Sequence, residues 1–162
     1  HVSDPLFWDA IRYAKKPVLA SHSSARAFTP GFERNMSDDM IKALASRGGV
    51  IQVNFGSSFD TAEARSWSEA FEAAAKDYQA EQHVAAFSPE SQAFAKAYRV
   101  EHPFPFANVD DVVDHIDHIV KLVGVEHVGI GSDFDGGNCS RFFSKCYRPY
   151  TFTGTGNTHF FI

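Results

Sequence analysis

Cysteine is scarce in this sequence. The 162 residues contain two, Cys139 and Cys146. No CxxC pair occurs, and two nearby thiols make neither a disulfide framework nor a complete thiolate metal site. Long apolar runs are also absent: nothing approaches the roughly 18 consecutive apolar residues of a membrane-spanning helix. Positive charge is in short supply, with 15 Lys and Arg against 20 Asp and Glu and a net charge of −5. Such a balance offers no basic stripe to neutralise phosphates, which argues against a nucleic-acid partner. No internal repeat and no low-complexity segment stands out. What is present is a globular composition, 44% hydrophobic and 22% charged, in a length ordinary for one domain.

The order of elements points to an α/β fold. Asp4 as cap and Pro5 in the first turn open a helix carrying Leu6, Phe7, Ala10 and Ile11, which stops before Pro17. Residues 17–22 form a short apolar run that reads as a buried strand ending at His22. Ser37-Asp38-Asp39 caps a second helix with Met40, Ile41 and Leu44 inward, closed by Gly48-Gly49. Residues 50–55 read as a second strand. Residues 60–99 are helix formers, one or two long helices with a break near Ser88-Pro89, whose aromatics (Trp67 and Phe71 among them) read as packing residues. Prolines 103 and 105 make residues 101–107 a loop. Asn108 caps a helix reaching about Leu122, and residues 127–131 form a third strand.

Strands separated by helices imply βαβ units, a parallel sheet, and strand C-termini at one edge where ligands bind. The sequence places His22, Asn54-Phe55 and Asp133 at that edge, and His1 at the end of a preceding strand. Imidazoles at successive strand ends suit a metal ion, and a carboxylate beside a metal-bound water suits proton transfer. Asp133 lies nearer its strand end than Asp135, which reads as a turn residue. Arg34, on the loop after His22, could fork onto a substrate carboxylate. His115 and His118, three apart on one helix, have metal-like spacing, but they are read as flanking the apolar face of a crossover helix.

These strings together resemble the renal (membrane) dipeptidase family of zinc metallopeptidases. The matching segments are His1-Val2-Ser3, Pro17-Val18 through Ser21-His22-Ser23-Ser24-Ala25, Arg34-Asn35 with Asp38-Asp39, Val53-Asn54-Phe55, Asp114 to Ile119, and Val128 to Gly136. The resemblance implies a (β/α)8 barrel with two zinc ions bridged by a glutamate, hydrolysing dipeptides through a zinc-bound hydroxide. It implies that His1 and His22 ligate one zinc and that Arg34 holds the substrate's C-terminal carboxylate. It assigns Asp133 to the metal-bound water and the substrate's amino group. The family's His-x-Asp pair, bridging glutamate and further substrate-binding histidine have no counterpart here.

The expectation is therefore a partial TIM-like barrel, roughly its last four βα units, over residues 1–136. Residues 57–107 form a helical insertion and 137–162 a divergent, poorly structured tail. A dipeptidase of which this chain, beginning at His1, is the C-terminal half would have a dipeptide substrate and little or no activity from this half alone. The alternative is a non-catalytic half-barrel that serves as an interaction module or a homodimer. The compartment is left open between bacterial cytoplasm and periplasm.

Overall fold

The computed structural model describes residues 2–133. Three short strands, β1 (Leu19–Ala20), β2 (Val50–Val53) and β3 (Val128–Ile130), form one parallel sheet in the order β1-β2-β3. Leu19 pairs with Val50, Ile51 with Val128 and Val53 with Ile130. The helices are α1 (Asp4–Tyr13), α2 (Asp38–Ser46), α3 (Ser57–Asp60), α4 (Ala62–Gln82), α5 (Pro89–Glu101) and α6 (Val109–Val123). The α/β class and the order of elements agree with the sequence reading. The strands are shorter than expected: after Ala20 the chain bends into a loop that keeps a backbone bond to β2 and adds one within itself. The Ser23 N–H donates to the Gln52 carbonyl at 2.8 Å, and the Met36 N–H to Ser24 at 2.9 Å.

Local chemistry explains most boundaries. The Ser37 hydroxyl accepts the Met40 N–H at 3.4 Å, and Asp38 and Asp39 occupy the positive first turn of α2. At α6 the caps are reciprocal. The Asn108 side chain accepts the Asp110 N–H, and the Asp111 carboxylate accepts the Asn108 N–H, both at 2.7 Å. The start of α1 differs from expectation. Ser3 is the cap residue and makes no capping bond among the described residues, while the Asp4 carboxylate is held by Arg26.

The core lies between the sheet and two helices. Met40, Ile41 and Leu44 of α2, Val112 and Ile119 of α6, and Ile51 and Val53 of β2 form one buried cluster, joined by Phe7 of α1. Each such side chain contributes roughly 1.5–3 kcal/mol by leaving water. A Cβ at Gly49 would stand 2.5 Å from the Val18 carbonyl, so glycine lets α2 turn directly into β2 against β1. The outer strands carry exposed residues, Leu19 (55%) on β1 and Ile130 (64%) on β3.

Helices α4 and α5 form a hairpin, with the break where Ser88-Pro89 predicts it: Ser88 caps α5 and Pro89 is its first residue. Its aromatics are half-buried and stack on one another rather than joining the main core. Trp67 lies 5.3 Å from Phe71, 5.6 Å from Tyr98 and 4.9 Å from Phe104, and Tyr78 stacks on Phe94 at 4.5 Å. Among the described residues no helix is long and apolar enough to cross a membrane.

Candidate active site at the strand ends

Backbone hydrogen bonds continue past the strands and tie their three C-terminal ends together. Besides the Ser23 bond to β2, the Gly131 N–H donates to Val53 at 2.9 Å and the Phe55 N–H to Ser132 at 3.3 Å. A Cβ at Gly131 would collide with the Ser21 carbonyl. The ends of β1 and β3 thus approach each other although β2 lies between them, and the sheet curls.

This rim brings His22, Asn54 and Asp133 to one edge, as the sequence predicts. His22 Nδ1 and the Ser21 hydroxyl are hydrogen-bonded at 2.8 Å. Asp133 adopts a left-handed backbone, φ 53°, which L-residues other than glycine enter at a cost. Such strain is common at strand-end functional sites.

Arg34 stands nearby with an unusual environment. Its Nε and Nη2 are buried and have no hydrogen-bond partner among the described residues. Its guanidinium carbon lies 5.2 Å from the centre of the Phe59 ring. Burial pushes its pKa down and the negative charge of Asp133 pushes it back up. The group stays cationic regardless, because guanidinium does not deprotonate in proteins. A cavity of about 200 Å³ opens beside it. His22, Arg34 and Asn35 contribute polar lining, and Phe7, Leu19 and Met36 the apolar wall.

Behind the rim lies a buried polar network that the sequence did not disclose. The Asn35 amide donates to the Thr29 hydroxyl and to the Phe59 carbonyl, each at 2.7 Å, and its oxygen accepts the Ser24 N–H at 3.3 Å. The Ser24 hydroxyl lies 3.2 Å from Asn54 Oδ1 and 3.3 Å from Asp60 Oδ1. Burial pushes the Asp60 carboxyl up to about 8, with the Ser24 hydrogen bond opposing that shift.

His115 is fully buried here rather than merely flanking an apolar face. Its Nδ1 accepts the Ala25 N–H at 3.0 Å, and its Nε2–H donates to the Asp60 carbonyl at 2.9 Å. Burial depresses its pKa, so the ring is neutral with the proton on Nε2. Both nitrogens are committed, which removes the His115–His118 pair from consideration as a metal site. His118 instead pairs with Asp38 Oδ1 at 2.8 Å. No spacing signal could have revealed this network, since its bonds join residues up to 90 positions apart.

His1, Asp135 and the tail 137–162 lie outside the described residues. Among the described residues no group of three or more His, Cys, Asp or Glu converges to hold a metal. His22 by itself falls short of the three or four protein ligands of zinc sites.

The family model for membrane dipeptidase, peptidase family M19, matches residues 1–143. The chain belongs to the membrane dipeptidase family. An uncharacterised dipeptidase of Schizosaccharomyces pombe is 37% identical over 136 residues, which cover 84% of this chain and 23% of that protein. The solved structure of the probable dipeptidase PvdM from Pseudomonas aeruginosa matches with a TM-score of 0.61 at 26% identity, covering 84% of this chain and 38% of that one. A Rhodobacter sphaeroides metallopeptidase, solved with a phosphinate mimic of the dipeptide L-Ala-D-Ala, matches with a TM-score of 0.57 at 25% identity. It covers 87% of this chain and 29% of that one. The chain thus spans well under half the length of these relatives. Membership in this metallopeptidase family implies a metal cofactor, yet the described residues do not form its site alone.

Proposed function

We propose that this chain carries the carboxylate-recognising part of a dipeptidase site. The observation that carries the reading is the Arg34 guanidinium, whose Nε and Nη2 are buried and have no hydrogen-bond partner among the described residues. Leaving such donors unpaired is costly, and a carboxylate supplies the matching bidentate acceptor. A dipeptide presents that group at its C-terminus and a free amine at its other end. Asp133, at the end of β3, is the carboxylate to receive the amine and to take up a proton during hydrolysis.

Zinc, which the family resemblance implies, would find His22 and His1 as two ligands of one ion. That is too few for a working centre, so the chain alone is expected to turn over dipeptides little or not at all. The curl that brings Gly131 against Ser21 favours a partial (β/α)8 barrel, residues 1–136, with 57–107 as a helical insertion and 137–162 as a divergent tail.

The test compares binding of Ala-Ala with binding of its C-terminal amide, alongside metal content and Gly-Xaa hydrolysis. The dipeptide is expected to bind tenfold or more tightly than the amide, about 1.4 kcal/mol. Arg34→Gln is expected to abolish the difference. Equal binding of acid and amide overturns the reading, and turnover with two metal ions per chain overturns the inactivity of the isolated chain. A second reading, a self-associating module, is favoured by the exposed Leu19 and Ile130 on the two outer strands. A metal-free dimer by solution mass, indifferent to the dipeptide, would support it.

A further inference from the structure

Three successive carbonyls around Arg34 are gripped by side chains of the loop that follows His22. The Glu33 carbonyl accepts Arg26 Nη2 at 3.1 Å, the Arg34 carbonyl accepts the Ser23 hydroxyl at 3.4 Å, and the Asn35 carbonyl accepts Arg26 Nε at 2.8 Å. The same guanidinium forks onto the α1 carboxylate of Asp4, Nη1 to Oδ2 at 2.8 Å and Nη2 to Oδ1 at 2.7 Å. Its backbone is fixed too, since the Arg26 N–H donates to the Met36 carbonyl at 2.8 Å.

We propose that Arg26 is a positioning residue for Arg34: it clamps the backbone on both sides of Arg34 and anchors that segment to the start of α1. This inference rests on the reading of Arg34 as the carboxylate-binding group. Its physical basis is the fork. One planar guanidinium satisfies two carbonyls and a bidentate carboxylate at fixed angles, which a lysine ammonium on a flexible stem cannot reproduce. An Arg34 free to swing would meet a carboxylate with one bond rather than two, and specificity for the acid over the amide would fall first. Asp4 is three residues from His1, so the clamp also links the recognition loop to the segment bearing that proposed ligand.

The experiment measures, on the full chain, the ratio of Ala-Ala to Ala-Ala-amide affinity and the solvent-exchange rate of the Arg34 Nε–H by NMR. Arg26→Lys is expected to cut the ratio at least threefold and to speed that exchange at least threefold. Asp4→Asn, which leaves the carbonyl bonds in place, should give a smaller change in the same direction. Glu69→Gln on the distant α4 should change neither. If Arg26→Lys does not fold, Asp4→Asn decides, because its side chain is 31% exposed. Variants that retain both the full ratio and the wild-type exchange rate overturn the clamp. A wild type without acid preference overturns the carboxylate reading instead, and the clamp then stands or falls on the exchange rate alone.

Discussion

The loop bearing His22 and Arg34 and the α4–α5 hairpin are held by different forces. The loop, residues 21–36, is fixed by buried hydrogen bonds to β2, α3 and α6, with Asn35, Ser24 and His115 fully buried at their centre. The hairpin is held by ring against ring between two neighbouring helices, with its aromatics only half-buried. Directional bonds between distant segments fix a geometry, whereas stacked rings at the surface tolerate sliding. The side chains with chemistry sit on the first kind of support.

Substitutions can break that contrast, and the largest effect is expected in the loop. Asn35→Ala removes three hydrogen bonds, two of them fully buried, and strands their partners, and should cost about 3–5 kcal/mol by urea unfolding. A small loss would mean that the network is looser than its geometry. Next comes pH. The Asp60 carboxyl titrates near 8 in the folded chain and near 3.8 when unfolded. The folded state therefore holds a proton that the unfolded state has released between those values. Stability from this group is complete below about pH 4 and is lost as pH rises through 8. Asp60→Asn should flatten that decline and make the chain more stable than wild type at pH 9, with the gap opening between about pH 4 and pH 8, read from unfolding curves at several pH values. An unchanged pH profile would sink the assignment.

In the hairpin, Trp67→Ala should cost less, about 2 kcal/mol, since the ring is only partly buried, although it gives up three ring contacts and the indole N–H bond to the His102 carbonyl at 3.0 Å. Hydrogen exchange should quicken in α4 and α5 while the amides of residues 23–36 keep their protection. Equal loosening of both regions would erase the distinction. The smallest effect belongs to the exposed pair Arg65–Glu69, four residues apart on α4 at 2.8 Å. Glu69→Gln should shift stability by about 0.3 kcal/mol, less at high salt.

Periodicity and caps made much of this legible. Met40, Ile41 and Leu44 marked the buried face of α2, Asn108 the start of α6, and Ser88-Pro89 the break in the hairpin. The strand ends that carry His22 and Asp133 followed from βαβ order alone. The roles of Asp60 and His115 did not. Asp60 looked like part of a helical insertion, and His115 like a polar residue beside an apolar stripe. The Asp4 carboxylate read as a helix entry, whereas its partner is Arg26, 22 residues away. In each case the deciding bond joins segments that only folding brings together.

The sequence by itself determined the α/β class, the order of its elements and the edge on which His22, Asn54 and Asp133 would gather. Those follow from local periodicity and from the handedness of parallel connections, which need no coordinates. Tertiary structure decided which polar groups have partners. It committed both nitrogens of His115, buried the Asp60 carboxyl, clamped the backbone around Arg34 and left two nitrogens of that guanidinium without a hydrogen-bond partner among the described residues. The reason is range: burial and hydrogen bonding depend on distance in space, and the sequence records only distance along the chain.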